Sequence, residues 1–345
     1  MDLGLSDDQE QLVGAFSMAC ERAVGPDRVR EAEAAGIDPA LWATMVELGA
    51  PGMGAPEAVG GGGASLVDLV LAAEVLGHAL APVPVVDHAV AVRVAADHLD
   101  PADATLAALV AGERIAAVAP VPARDGRAVM VPAGGVAHVV IALDGTDLVL
   151  VAQAPPGPAR PALGGVAAAD VELRGAGRRV LASGSPAVAA HGRFVAEWRT
   201  LTAAALVGVG TGALTLGVEY AKARHQFGQP IGSFQAIAHP LADAATALDG
   251  ARLLARESAW AAAEEPGQCD ALAAMAFVFA AETAQRAAAV ALHTHGGYGF
   301  MLEYDVQLYY TRAKAWALLG GDPRHAVADL GDALFGPAGA STGGR

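Results

Sequence analysis

Residues 199–240 read RTLTAAALVGVGTGALTLGVEYAKARHQFGQPIGSFQAIAHP, and this stretch decides how the rest of the chain is interpreted. No charged residue occurs from Thr200 to Val218. The sequence then becomes polar and basic, and it breaks at glycines and a proline that follow Arg224. An uncharged run of this length is typical of a membrane span or of a buried helix. Small residues, a mid-chain position and the lack of an aromatic belt favour the buried helix. The stretch therefore predicts a core helix that ends at a loop and places the cationic side chain of Arg224 there.

Within this stretch, Gly208, Gly210, Gly212 and Ala213 formally match the spacing of a dinucleotide-binding fingerprint. That fingerprint works only in a tight turn between a strand and a helix. No strand is predicted before these residues, and they lie inside a helical pattern. We therefore expect the small residues to allow close helix packing instead of nucleotide binding.

Length and composition restrict the class of protein. A chain of 345 residues predicts two or three domains, and 54% apolar residues are ample for their cores. A formal net charge of −15 argues against nucleic acid or an anionic membrane as a partner. Cys20 and Cys269 lie far apart without metal-ligand spacing, and the first ten residues are acidic where a signal peptide is basic. These features predict a cytoplasmic, reduced protein without a metal site.

The pattern of apolar residues changes twice along the chain. Residues 1–105 show helical spacing, residues 106–195 contain short apolar runs between Gly, Pro and Asp, and residues 196–336 are again helical. The last region predicts a bundle of four helices, and residues 337–345 predict a disordered tail. The runs that predict strands are Ile115–Val118, Ala128–Val131, Val136–Ile141, Asp147–Val151 and Asp170–Leu173.

Two motifs indicate a family. The first is Arg224-His-Gln226-Phe227-Gly228-Gln-Pro-Ile-Gly followed by Phe-Gln235, and the second is His295-Gly296-Gly297-Tyr-Gly-Phe. Their order and spacing resemble the carboxy-terminal domain of the acyl-CoA dehydrogenase family, and residues 56–63 resemble a loop of its amino-terminal domain. The resemblance implies an α+β multidomain fold, with an amino-terminal helical domain, a small middle β-barrel or sandwich and a carboxy-terminal four-helix bundle.

The resemblance also implies FAD as cofactor. Arg224 offers a planar fork suited to pyrophosphate oxygens, and glycines let the backbone approach a ligand closely. By its position alone, Arg224 could equally be a cation at a helix C-terminus, and His295 alone would be an interior histidine. By the resemblance, some of the flavin contacts reach the flavin of a neighbouring subunit. His293 stands where the family usually has Gln. The implied cofactor-binding residues are Arg224, Gln226, Phe227, Gly228, Gln235, His293, His295, Gly296, Gly297 and Asp322.

The family's reaction removes a proton from the carbon next to a thioester, so it needs a carboxylate base. By the resemblance, the base belongs at one of two positions, which are occupied here by Gly320 and Trp198. Glu197 is one residue early, about 100° away around a helix, and is the first candidate base. Asp322 is a second candidate, with contact to the flavin edge or capping of the following helix as its alternative roles. Arg199 is a candidate substrate-binding residue. Residues 117–126 stand in place of the family's middle-domain flavin loop.

Two functions of different class follow. The first is an FAD-dependent acyl-CoA dehydrogenase that introduces an α,β double bond into an acyl thioester, acting with a homologous partner subunit or as a homo-oligomer. The second is a non-catalytic subunit of a heteromeric acyl-CoA dehydrogenase. Residues 296–322 resemble actinobacterial members that handle steroid side chains or other bulky acyl groups. A flavin-independent enzyme on the same fold stays open as a third alternative.

Overall fold

The computed structural model describes residues 4–153, 163–175 and 177–336. The predicted tail at residues 337–345 lies outside this range. The described chain is mostly helical. Its helices are α1 (Asp7–Ala23), α2 (Pro26–Ala32), α3 (Pro39–Glu47), α4 (Leu66–His78), α5 (Val85–His98), α6 (Ala104–Val110), α7 (Ser185–Ala223), α8 (Gln235–Glu264), α9 (Cys269–His295), α10 (Val306–Trp316) and α11 (Pro323–Phe335).

Side-chain caps fix where the amino-terminal helices begin. Ser6 and Gln9 form a reciprocal capping box at the start of α1, and Ser65 and Asp68 form another at the start of α4. Each box satisfies backbone N–H groups that a helix start leaves without partners. The amino-terminal helices thus start at positions that their own sequence encodes.

The middle region contains two small sheets. The first has the strand order β1-β3-β4-β6, in which β1 and β3 are parallel and the other pairs are antiparallel, and the second pairs β2 with β5. The predicted strand region is confirmed, and it has one more strand than predicted, at Arg178–Ser183. The strands are β1 (Ala116–Val118), β2 (Arg127–Val131), β3 (Val139–Asp144), β4 (Asp147–Ala152), β5 (Ala169–Glu172) and β6 (Arg178–Ser183).

Alternate residues of the larger sheet belong to different cores. Ile141 and Leu150 pack into the helical core, whereas their neighbours Val140 and Val149 pack into a separate apolar cluster with residues of the smaller sheet. This alternation is the period of two that a strand imposes on its side chains. The middle region therefore resembles a sandwich whose outer face is attached to the helices.

The long helix α7 organises the carboxy-terminal region. It begins at Ser185, so it continues through the domain boundary predicted between residues 195 and 196. It packs against α4, α8, α9 and α10. Gly210 lies against Ala284, and Gly217 lies against Ala291 seven residues further along both helices, so α7 and α9 run in the same direction. The last predicted helix, at residues 303–319, is shorter in the structure, and α11 follows it.

Glycines set the distance between α4 and α7. A Cβ atom added at Gly208 would lie 2.0 Å from the carbonyl oxygen of Glu74, and one at Gly77 would lie 2.0 Å from the carbonyl oxygen of Ala205. Only glycine permits this approach. The close-packing interpretation is confirmed, and no nucleotide turn interrupts the helix.

Two helical segments of the described chain are long and apolar enough to cross a membrane, Ser185–Ala223 and Pro266–Phe300. Most of the apolar window in each is buried inside the protein, 72% and 56% respectively. Such burial is expected of core helices in a bundle. Both segments are therefore explained by packing within the fold.

Candidate functional site

The carboxyl end of α7 leads into an exposed hairpin made of β7 (His225–Gln226) and β8 (Gln229–Pro230). Its two turn residues, Phe227 and Gly228, have φ values of +54° and +81°. Two left-handed positions in succession define a type I′ turn. The Phe227 side chain is 93% exposed, although this conformation is uncommon for residues other than Gly, Asn and Asp. An exposed aromatic ring held in a strained turn is typical of a contact surface.

The carboxyl end of α9 lies beside this hairpin. His295 is buried, its Nδ1 lies 2.8 Å from the carbonyl oxygen of Ala291, and its ring stacks on Tyr220 with 4.3 Å between centroids. Gly296 follows with a φ of +63°. Because α7 and α9 are parallel, the structure brings both sequence motifs to one end of the bundle.

The surface at this end is open to a ligand or a partner. The Arg224 guanidinium has no acidic partner among the described residues, and the side chains of Gln226, Gln235 and His293 are exposed. A Cβ atom added at the loop glycines would meet nothing within 4 Å. An unpaired guanidinium beside accessible backbone and amide groups can hold a phosphate-bearing ligand. The glycines with this open space are Gly228, Gly296 and Gly297.

The other end of the bundle holds the two positions at which the family's base is expected. A Cβ atom added at Gly320 would lie 2.8 Å from Cζ3 of Trp198. The indole therefore fills the space into which a side chain at residue 320 would extend. Trp198 is buried, and its Nε1 donates a hydrogen bond of 2.8 Å to Oδ1 of Asp87 on α5. The two positions thus face each other, and neither carries a carboxylate.

A cavity lies next to Trp198, between α4, α5, α7, α10 and the loop at residues 163–167. Its lining includes Asp87, Thr202 and Arg312 among apolar residues such as Leu76 and Trp316. Asp87 is half-buried, and part of its surface faces this cavity. Burial raises the pKa of Asp87 to about 6, against the lowering effect of the hydrogen bond from Trp198.

The structure places the candidate base Glu197 away from this cavity. Its carboxylate forms two hydrogen bonds with the guanidinium of Arg93, at 2.9 and 3.1 Å, while a third Arg93 nitrogen donates to the carbonyl oxygen of Gly54. The 100° step around α7 therefore directs Glu197 to a different face from Trp198. A carboxylate held in a fork by arginine is a poor proton acceptor, so the geometry does not favour Glu197 as a base.

The other two candidates near this end also lie outside the cavity lining. Arg199, the candidate substrate-binding residue, forms an ion pair with Asp329 on α11. Asp322 immediately precedes α11, and its carbonyl oxygen accepts a hydrogen bond from the backbone of His325. Arg199 is therefore placed to attach α11 to the bundle, whereas Asp322 marks the start of α11.

The segment at residues 117–126, which stands in place of the flavin loop, offers few polar side chains. Ala117 and Val118 belong to β1, and Ala119 and Pro120 are buried as well. Asp125 and Gly126 form a turn with φ values of +54° and +79°, in which Asp125 is exposed and Gly126 is buried. Up to Arg124 the segment has no side chain that could donate a hydrogen bond to a flavin ring.

The two ends of the bundle are far apart. Trp198 and Arg224 are separated by 26 positions in one continuous helix, which corresponds to about 39 Å at 1.5 Å per residue. The hairpin and the cavity of one chain therefore belong to two different sites.

Two polar residues of the cavity were not predicted from the sequence. Asp87 interrupts the apolar helix Val85–His98, and Arg312 lies in α10 among aromatic residues. A charge within an apolar helical face is the signal that could have indicated them. Their common location depends on contacts between distant parts of the chain, which the sequence does not display.

Comparison with known proteins agrees with this architecture. Family models for the N-terminal and C-terminal domains of acyl-CoA dehydrogenases match residues 6–100 and 189–335. The chain is 31% identical over 341 residues to "Acyl-CoA dehydrogenase IpdE2" of Mycolicibacterium smegmatis, a match that covers 96% of this chain and 100% of that protein.

Two solved structures extend the comparison. The ChsE4-ChsE5 complex from Mycobacterium tuberculosis contains a chain that superposes with a TM-score of 0.87 at 28% identity, covering 98% of this chain and 100% of that one. A variant of the steroid ACAD Tcur3481-Tcur3483 gives a TM-score of 0.83 at 27% identity, covering 95% and 98%. The fold, the sequence motifs and these matches together show that the chain belongs to the acyl-CoA dehydrogenase family.

Proposed function

We propose that this chain is the supporting subunit of a cytoplasmic, FAD-dependent, heteromeric acyl-CoA dehydrogenase, and that a homologous partner supplies the catalytic base. The observation that carries the proposal is the contact between Trp198 and Gly320. Both positions expected to hold a carboxylate are occupied, one by an indole and the other by a residue without a side chain. Proton removal next to a thioester has no acceptor at either position.

The exposed end of the bundle supports a role toward a partner's cofactor. Bound FAD would accept the hydride from the carbon next to the one that loses its proton. Arg224 would pair with the pyrophosphate, Gln235 and His293 would donate hydrogen bonds, and the backbone at Gly296 and Gly297 would approach the ligand. These groups are solvent-exposed and fit one side of a nucleotide that another chain holds on its other side.

The middle region also supports a supporting role for this chain and a catalytic role for its partner. Residues 117–123 lack polar side chains that would hold a flavin over this chain's own cavity. The similar ChsE4-ChsE5 structure is described as a complex of two differently named chains. We infer from it that a related, non-identical subunit is the partner, and from the steroid ACAD neighbour that a bulky acyl thioester is the substrate.

A second candidate is a self-sufficient dehydrogenase in which Asp87 is the base. The observation that favours it is a carboxylate in the cavity wall whose pKa burial raises to about 6, near the range useful for general base catalysis. Its Oδ1 is already engaged by Trp198, and the carboxylate would have to turn toward a substrate. The supporting-subunit proposal requires no such rearrangement.

One substitution separates the two candidates. The chain is co-purified with a homologue that carries glutamate at the position matching Gly320 or Trp198, and dehydrogenation of acyl thioesters is measured for the wild type and for Asp87→Asn. If Asp87 only supports the fold, kcat stays within about threefold of the wild type. If Asp87 is the base, the chain purified alone turns over, and its kcat falls about 10²–10⁴-fold in Asp87→Asn. Replacing the partner's glutamate with glutamine should abolish turnover under the first candidate alone.

A further inference from the structure

The guanidinium of Arg312 lacks most of the partners that a buried cation requires. Arg312 is 1% exposed, and Nη1 donates a hydrogen bond of 2.6 Å to the carbonyl oxygen of Leu80. Nε and Nη2 are buried and have no hydrogen-bond partner in the described part of the chain. Buried charges in proteins are normally paired, because an unpaired one loses its hydration without compensation.

No carboxylate of the described chain lies within ion-pair distance of Arg312. Glu33 and Tyr309 are near enough to raise its pKa, but burial outweighs them and lowers the pKa to about 10. The group is therefore still a cation at neutral pH. Asp87 lines the same cavity but is hydrogen-bonded to Trp198 at another wall. The positive charge thus has no counter-ion of its own in this cavity.

Glycine at position 165 leaves the unpartnered edge of the guanidinium without a side chain packed against it. A Cβ atom added at Gly165 would lie 2.9 Å from Nη2 of Arg312, and the residue has a φ of +64°. Any other side chain at this position would cover the nitrogen. Gly165 and Arg312 both belong to the lining of the cavity, whose other members are mainly apolar. The cavity therefore combines an apolar wall with a buried guanidinium that has two unpartnered donors.

We infer that this cavity binds a carboxylate on a short apolar body, with the carboxylate oxygens accepting hydrogen bonds from Nε and Nη2 of Arg312. Two parallel N–H donors match the two oxygens of a carboxylate. The cavity of about 90 Å³ has room for a short aliphatic chain. The inference does not depend on the proposed function, because every residue that forms the site lies in this chain.

The test compares an acid with its uncharged isostere on the purified protein, alone or with its partner. Hexanoate and hexanamide are titrated by calorimetry. Hexanoate should bind at least tenfold more tightly, because only the acid pairs with the guanidinium. Equal affinity for the two compounds, or no binding of hexanoate, would overturn the inference without any mutant.

Variants then locate the site. Arg312→Met should weaken hexanoate binding at least tenfold and leave hexanamide unchanged, whereas Arg312→Lys should keep part of the preference for the acid. Arg286→Met is the matched control, because it removes a cation from an exposed position on α9. A tenfold loss in the Arg286 control, or none in Arg312→Met, would contradict the assignment.

The carboxylate could come from a free acid or from the far end of an acyl thioester. Adipoyl-CoA and hexanoyl-CoA differ only in that terminal carboxylate, so their comparison separates the sources. If the thioester is the natural ligand, adipoyl-CoA binds more tightly than hexanoyl-CoA and the preference disappears in Arg312→Met. The other outcome is that the two thioesters bind equally, while hexanoate still binds the wild type more tightly than Arg312→Met. In that case a free acid is the ligand.

Discussion

The two ends of the helical bundle differ in what they offer to chemistry. At the carboxyl end, the hairpin around Arg224 and the loop after His295 are open, and their glycines have free space around them. At the other end, Trp198 fills the space next to Gly320 and is fixed by Asp87. The first end resembles half of a binding site, and the second resembles a catalytic site that has been filled.

This contrast is what the proposed function expects of a chain that contributes groups to another subunit and has no catalytic base in its own cavity. The exposed Phe227 supports the same view, since a 93% exposed ring in a left-handed turn gains little from its own fold. A chain that worked alone would be expected to pair a complete cavity with its own cofactor contacts. The contrast can be tested by changing one end at a time.

The largest effect is expected from Gly320→Glu. The new side chain would overlap the indole of Trp198 and bury a carboxylate, and we expect a loss of about 3–5 kcal/mol in the free energy of unfolding. Gly331→Glu is the control, because an added Cβ at that helical position meets nothing within 4 Å. In a Trp198→Ala background the same substitution should cost at least about 2 kcal/mol less. The free energies of unfolding are measured with urea. If the losses from Gly320→Glu and Trp198→Ala simply add in the double variant, the side chains at positions 320 and 198 do not compete for the same space.

Asp87→Asn should stabilise the protein in a pH-dependent way. The pKa of Asp87 rises from 3.8 to about 6 on folding, so the protonated form contributes stability that is lost as pH rises through this window. The difference of about two pH units corresponds to about 3 kcal/mol. Asparagine stays neutral and still accepts the hydrogen bond from Trp198. The free energy of unfolding of Asp87→Asn should therefore equal that of the wild type below pH 4 and exceed it by about 3 kcal/mol above pH 6.

The measurement for Asp87 is the difference between the two proteins in urea unfolding from pH 4.5 to pH 7.5. The difference between the two proteins is used because His88 and His191 also change the stability of each protein in this pH range, with the opposite dependence on pH. Their contribution is the same in both proteins and cancels in the difference. Burial lowers the pKa of each histidine to about 4, so their contribution is lost as pH falls. A gap between the variant and the wild type that does not change with pH would contradict the assignment.

Arg224→Gln tests the open end. The guanidinium has no acidic partner in the described chain, so the free energy of unfolding should change by less than about 0.5 kcal/mol. Loss of a charge-assisted phosphate contact should weaken flavin retention by the assembled enzyme about tenfold, or about 1.4 kcal/mol. Lys222→Gln, two residues earlier and 67% exposed, should leave flavin retention unchanged. Equal retention in both variants, measured by flavin release on dilution, would remove Arg224 from the site.

The smallest effect is expected from Glu197→Gln. Glu197 and Arg93 are 21% and 29% exposed, so loss of their bidentate ion pair should cost about 1 kcal/mol of stability. Turnover of the assembled enzyme should not change, because the carboxylate points away from the cavity. Glu219→Gln removes an exposed ion pair with Lys222 and should cost less than about 0.5 kcal/mol of stability. A loss of turnover beyond tenfold in Glu197→Gln would restore Glu197 as a candidate base.

Local patterns predicted the parts of the fold that depend on local chemistry. The uncharged run after Thr200 predicted the core helix, and short apolar runs predicted five of the six strands in the two sheets. The amino-terminal start of α7 was placed too late, because the Ala-rich sequence before residue 196 carries little helical periodicity. Pro186, in the first turn of α7, is compatible with a helix start at Ser185.

The candidate site was harder to predict because its contacts join distant residues. Glu197 pairs with Arg93, 104 residues away, and Arg199 pairs with Asp329, 130 residues away. No spacing rule relates such positions, so the direction of each side chain had to come from the fold. The resemblance identified Trp198 and Gly320 as the key positions but could not show that the two residues touch.

The most direct test of the account is the flavin content and native mass of the chain purified alone and together with a homologous partner. We predict that the chain alone carries no stoichiometric flavin, and that the hetero-oligomer is yellow and dehydrogenates an acyl thioester. A homo-oligomer of this chain that holds stoichiometric flavin and turns over by itself would contradict the central claim, and would direct attention to Asp87 as the base.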